Sequence, residues 1–200
     1  MIRRAPSLLA TAIASLLAML LAFTLVACAK RDRPSGPRPN ASAVPSELVI
    51  DEALLAYLSK ARSLHHEADL FEDKSDLPGA IAALERLLAV PPPRRAPEAD
   101  EVIADTRARL GELRAELGDF DAGQKDVELG LAAAPAISYF RGHLLEVRGL
   151  IEEKRGKALA AKGDTVGASK AKELAMKAYE EAIAVQDQVI DRGTRDGGAK

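Results

Sequence analysis

Three patterns of apolar and polar positions divide the chain. From Leu8 to Ala27 the residues are apolar almost without a break, interrupted by Thr11, Ser15 and Thr24. Between Ala29 and Ser46, four prolines and one glycine fall among polar residues, a composition that suits neither a helix nor a packed strand. This stretch predicts a disordered or polyproline-like spacer, with a reach of roughly 50 Å at about 3.1 Å per residue. From Glu47 onward apolar residues recur at intervals of three and four. That is the period of a helix, and no segment sustains the alternation of a strand.

The punctuation within this last region predicts six helices. The first runs from about Glu47 to Asp73, with Ser46 as its N-cap after Pro45 and a mixed stripe of Leu48, Leu55, Leu58, Arg62 and His65. Asp76-Leu77-Pro78-Gly79 marks a turn into a second helix over Ala80–Val90, which Pro91-Pro92-Pro93 ends. A third helix spans Pro97–Leu117, and the turn Gly118-Asp119-Phe120-Asp121 leads into a fourth that closes at Ala134 before Pro135. The fifth covers Ile137–Lys162, Gly163-Asp164 turns the chain, and the sixth covers Val166–Ile190. Residues 191–200, with Gly193, Gly197 and Gly198, are expected to fray into a disordered tail.

Composition narrows the picture. Only 4% of residues are aromatic and there is no tryptophan, so alanine and leucine must supply the core; both enter helices at little cost. There are 28 basic and 30 acidic residues. Without Arg3 and Arg4 the basic count is 26, a balance of −4 with no concentrated basic patch, which argues against a nucleic-acid binder. The short cluster of Lys30, Arg31, Arg33 and Arg38 reads as a solvated linker, or as a contact to anionic headgroups. A single cysteine excludes an internal disulfide and a cysteine-based zinc cluster.

That cysteine stands in a telling place. Arg3 and Arg4 precede the apolar run, as in a secretory signal, and the run ends in Leu25-Val26-Ala27-Cys28. This tetrapeptide resembles the lipobox of bacterial lipoprotein precursors. The resemblance implies that diacylglycerol is attached to the Cys28 thiol and that residues 1–27 are then removed. A thiol is the nucleophile suited to thioether formation, and a small Ala27 lets a peptidase reach the bond before it. Stable anchoring needs more than one acyl chain, which a di- or triacylated Cys28 supplies. Two other readings use the same residues: an uncleaved membrane helix of about 20 residues, and cleavage near Ala27 by an ordinary signal peptidase. In Gram-negative lipoproteins an aspartate after the cysteine commonly holds the protein in the inner membrane. Ala29 here points to the outer membrane, facing the periplasm.

The helical region has an internal pattern. Leu110-Gly111, the turn Gly118 with Phe120, then Gly123, Val127, Gly130 and Pro135 follow at the offsets of the tetratricopeptide repeat, which this hairpin resembles. The first hairpin fits in part: Leu64, Ala68 and Phe71 stand in its first helix and Ala80, Leu84 and Leu87 in its second, with Pro92 closing and Ser75 in place of the turn glycine. In the third, Gly163 and Ala168 fit, whereas Ala175, Tyr179 and Ala182 repeat the second-helix pattern seven residues late. Ala80 and Gly123 are 43 residues apart, longer than the usual repeat of about 34. The resemblance spans residues 47–190 and implies an all-α fold: three antiparallel helical hairpins stacked as a short right-handed array.

Candidate chemistry is sparse. His65 and His66 are adjacent and diverge on a helix, and His143 is distant in sequence. His65 and Asp69 have a spacing that could hold a metal, but exposed surface hydrogen bonding is the reading preferred. Glu152-Glu153 and Glu180-Glu181 read as solvated faces, with Glu153–Lys157 and Glu173–Lys177 as supporting pairs. Tyr139-Phe140 reads as packing between hairpins, or as an exposed anchor for a partner. No phosphate loop or nucleophile elbow occurs. The expectation is a non-enzymatic envelope lipoprotein without cofactor, metal or small-molecule substrate. Its partners would be the membrane, through Cys28, and another envelope protein or peptide held by the helical array. The alternative is a structural helical lipoprotein that binds itself.

Overall fold

The computed structural model describes residues 51–94 and 96–197. The signal segment 1–27, Cys28, the spacer 28–46 and the expected cap Ser46 lie outside the described residues. Among the described residues the fold is all-α, with six helices: α1 (Glu52–Glu72), α2 (Leu77–Leu88), α3 (Pro97–Glu116), α4 (Phe120–Ala133), α5 (Tyr139–Ala161) and α6 (Thr165–Gly197).

Most helix starts are set by a side chain. Asp51, Asp76, Asp119 and Ser138 each sit just before a helix and accept a hydrogen bond from the backbone N–H three residues on. Asp164 does the same for Gly167, at 2.8 Å. These caps answer the unpaired donors of a helix N-terminus. They also move three expected boundaries. Residue 51 has an extended backbone, so α1 starts at Glu52 on an Asp51 cap instead of at Glu47. α2 starts at Leu77, because Pro78 and Gly79 belong to its first turn, where a proline lacks no needed N–H. α5 starts at Tyr139, since Ser138 caps it. At the other end, α6 continues through residues 191–197, which were expected to fray.

Three turns are built alike. Asp76 donates its N–H to Phe71, Asp119 to Arg114 and Asp164 to Leu159, while the residue before each donates to the carbonyl three back. This closure needs a left-handed residue. Gly118 and Gly163 supply it at φ 81°, and Ser75 adopts it at φ 59° without being glycine.

α1 buries Tyr57, Ala61, Leu64 and Ala68. The stripe expected at Leu55 is displaced, since Leu55 stays 55% exposed. Ala68, Ala80, Leu84 and Leu110 form one cluster, with Phe71 packed against it. Val127 joins Ala104, Leu144, Val147 and Ile151 in another, with Phe120 and Phe140 at its margin. Of the other positions that defined the repeat pattern, Gly111, Gly123 and Gly130 are buried, whereas Gly118 and Pro135 are exposed. α3 and α4 cross at the first two of these glycines: a Cβ on Gly123 would stand 2.9 Å from the Gly111 carbonyl oxygen. α1 packs on α2 and α3, α3 on α4 and α5, and α6 on α5.

Candidate functional site

A groove of about 650 Å³ runs over α1, α3 and the start of α5. Its α1 wall is Leu58, Arg62, His65 and Asp69, residues that share one helix face at intervals of four, three and four. Leu58, Ala61, Val102 and Phe140 give it an apolar lining. Asp69, Glu98, Glu101 and Asp105 face Arg62 and the two histidines, so the rim is mainly acidic.

His65 is the most constrained group in this groove. It is half-buried, not on an exposed surface as expected. The Thr106 hydroxyl, itself fully buried, donates to the Val102 carbonyl at 2.7 Å, a back-bond common for threonine within helices. With its one proton used there, Thr106 accepts from His65 Nε2 at 3.1 Å. Nδ1 is then the acceptor, and Arg109 Nη1 stands 3.4 Å from it. Burial holds this imidazole below its usual pKa. Asp105 and Asp69 oppose the shift and Arg109 adds to it. Asp69 bonds Arg109 at 2.6 Å, and Glu72 accepts from the Nε of the same guanidinium at 3.1 Å. Asp69, the residue spaced to hold a metal with His65, is thus engaged by an arginine of α3. Among the described residues no group of three or more His, Cys, Asp or Glu could hold a metal ion.

Further along α3 and α5, outside the groove, lies a second charged group. Glu112 is half-buried, and burial raises its carboxyl pKa against the pull of His143 and Lys154; Glu116 and Glu146 raise it further. Lys154 reaches Glu116 at 3.3 Å. Tyr139 and Phe140 divide their roles. Phe140 packs into the core margin, while Tyr139 remains 61% exposed with its ring stacked 6.0 Å from that of His143.

Two buried acids escaped the sequence reading. Asp126 of α4 is 4% exposed and is held by Arg107 and by Arg114, the latter at 2.7 Å; Arg114 also bonds Glu85 of α2 at 2.6 Å. Glu152 is not on a solvated face: it is 7% exposed and accepts from Gln124 at 2.8 Å. The signal for Asp126 lay in its position. It shares the face of α4 that carries Gly123 and Gly130, while Arg107 and Arg114 are two turns apart on α3. The pair Glu153–Lys157 forms at 2.6 Å, but Lys177 turns to Glu181 instead of Glu173.

Among the described residues no helix is long and apolar enough to cross a membrane. Searches for a matching protein family, a similar curated protein and a similar solved structure found none.

Proposed function

We propose that this chain is a lipid-anchored envelope lipoprotein whose helical body acts as a protein-binding scaffold. In this reading Cys28 carries the lipid and residues 29–46 form the spacer, and the anchor faces the periplasm from the outer membrane. The body is a short tetratricopeptide-like array of three hairpins, α1–α2, α3–α4 and α5–α6. Supporting it are the three turns of one design, the glycine crossing of α3 and α4, and the packing of α1 on α3 and of α3 on α5. Arrays of this kind hold a peptide in a surface lined by successive repeats.

The observation that carries the binding role is the groove over α1, α3 and α5, with an apolar lining and a rim of Asp69, Glu98, Glu101 and Asp105. Such a rim favours a partner segment bearing Lys or Arg beside apolar residues. Two measurements test the reading separately. A fatty-acid analogue fed to the producing bacterium labels the wild-type chain and not Cys28→Ala; label retained in the variant removes the anchor. Affinity capture of envelope proteins by the full chain recovers a partner that is lost with Glu101→Lys and Asp105→Lys together. A partner set unchanged by that reversal removes the groove.

A further inference from the structure

α6 carries two apolar stripes. Ala171, Ala175, Ala178, Ala182 and Val185 are buried, on the side that packs against α5. The second stripe faces outward: Met176 is 54% exposed, Ile183 56% and Ile190 61%. These three are seven residues apart, so they lie on one side of the helix. Beside Met176 lies a depression of about 470 Å³, lined wholly by α5 and α6, with Gly156, Ala160, Ala168, Ala175 and Tyr179 in its walls.

The same kind of depression is filled elsewhere in the molecule. Gly111 and Gly123 stand seven before and five after the turn residue Gly118, and α5 covers their crossing with Val147 and Ile151, each within 3.3 Å of where a Cβ would be. Gly156 and Ala168 stand seven before and five after the turn residue Gly163. A Cβ on Gly156 would lie 3.3 Å from the Ala168 carbonyl oxygen, so the crossing is again close. The final crossing has the shape of a seat for a helix, and the chain supplies no seventh helix among the described residues to fill it.

The exposed side of α6 indicates the occupant. In chain order it presents Lys172, Met176, Ile183 and Asp187, all exposed and within about a sixth of a turn of one another. Four residues separate the first two and four the last two. Read backwards the stripe is anion, apolar, apolar, cation. Two antiparallel copies related by a two-fold axis between Tyr179 and Glu180 therefore set Met176 against Ile183 of the partner subunit, twice. They also set Lys172 against Asp187 of the partner subunit, twice. A parallel pair would oppose Lys172 to its own copy. We propose that a second copy of this chain docks on the α5–α6 seat through α6, antiparallel and two-fold symmetric. This surface is separate from the α1–α3–α5 groove, and it gives the self-association anticipated from the sequence a defined face.

The test is disulfide formation in native membranes with the full chain. Met176→Cys and Ile183→Cys, produced together in one cell, give a mixed dimer well above the background of the chain carrying neither. Each alone gives little more than that background. Adding Lys172→Glu or Asp187→Lys to both chains lowers the yield on the order of tenfold, since two attractions become two repulsions. Carrying both reversals restores it, because the stripe is again self-complementary. All four positions are exposed, so the helix tolerates the changes. A mixed yield no higher than the single-cysteine yields overturns the proposal, as does a double reversal that stays as low as the singles. Capture of a groove partner is unaffected by these changes, so the two proposals fail independently.

Discussion

At the scale of the residue, His65 shows how a neighbour fixes a chemical state. Thr106 spends its proton on Val102, which makes His65 Nε2 a donor and leaves Nδ1 to face Arg109. A proton on Nδ1 would set a cation against a guanidinium in a half-buried place. The folded chain therefore keeps the ring neutral to lower pH than the unfolded chain, whose histidine takes up a proton near 6.5. Stability is fully present above that pH and is lost as pH falls through the window below it. We expect the melting temperature to drop between pH 7 and pH 5, and His65→Gln to flatten that drop; an equal drop in the variant would place its source elsewhere. None of this was legible in the sequence. The doublet His65-His66 presents two similar rings, and what distinguishes them is a threonine 41 positions away. Asp126 is a partial case, since its helix face was visible and its partners were not. Its burial depends on two arginines of another helix, and hydropathy alone marks it as a surface residue.

At the scale of the element, the repeat pattern was legible where the backbone itself demanded a residue. Gly118 and Gly163 were read as turns and both have positive φ, while Ser75 occupies the same conformation with a Cβ. Boundaries were legible less well, because an aspartate cap and a proline in the first helical turn look alike in sequence to a loop; α2 gains Leu77, Pro78 and Gly79 for that reason. Small residues are read ambiguously too, since a glycine in a helix weakens it by about 1 kcal/mol relative to alanine unless packing requires it. Gly123 and Gly193 separate the cases. Nothing lies within 4 Å of a Cβ on Gly193, and Gly193→Ala is expected to stabilise the chain by up to ~1 kcal/mol. At Gly123 the same change meets the Gly111 carbonyl, and the α3–α4 crossing must open; a loss of ~1–3 kcal/mol is expected. Urea denaturation of the two variants reads both signs, and a stabilising Gly123→Ala would mean that the crossing is looser than its geometry.

At the scale of the whole molecule, the six helices of the described residues and the absence of sustained strand periodicity were legible from the intervals of three and four. The polar ties between the helices were not, because several rest on single arginines whose partners lie on other helices: Arg109 to Asp69 and Glu72, Arg114 to Glu85 and Asp126, Arg155 to Asp121. The groove has a mechanical consequence. Its α1 wall begins at Leu58, two turns from Asp51, and Asp51 is where the chain continues toward Cys28. In the proposed lipid-anchored form, a partner held there and drawn away from Cys28 puts tension into α1 directly. α4 and α6 contribute no residue to that groove and lie off the path of the pull. α1 then carries the force while the α4 side of the body stays unloaded. Single-molecule pulling between a groove-bound partner and the anchor should thus give the same rupture force in Gly123→Ala as in the wild-type chain, although that variant unfolds more readily. A clearly lower force would mean that the tension spreads from α3 into α4.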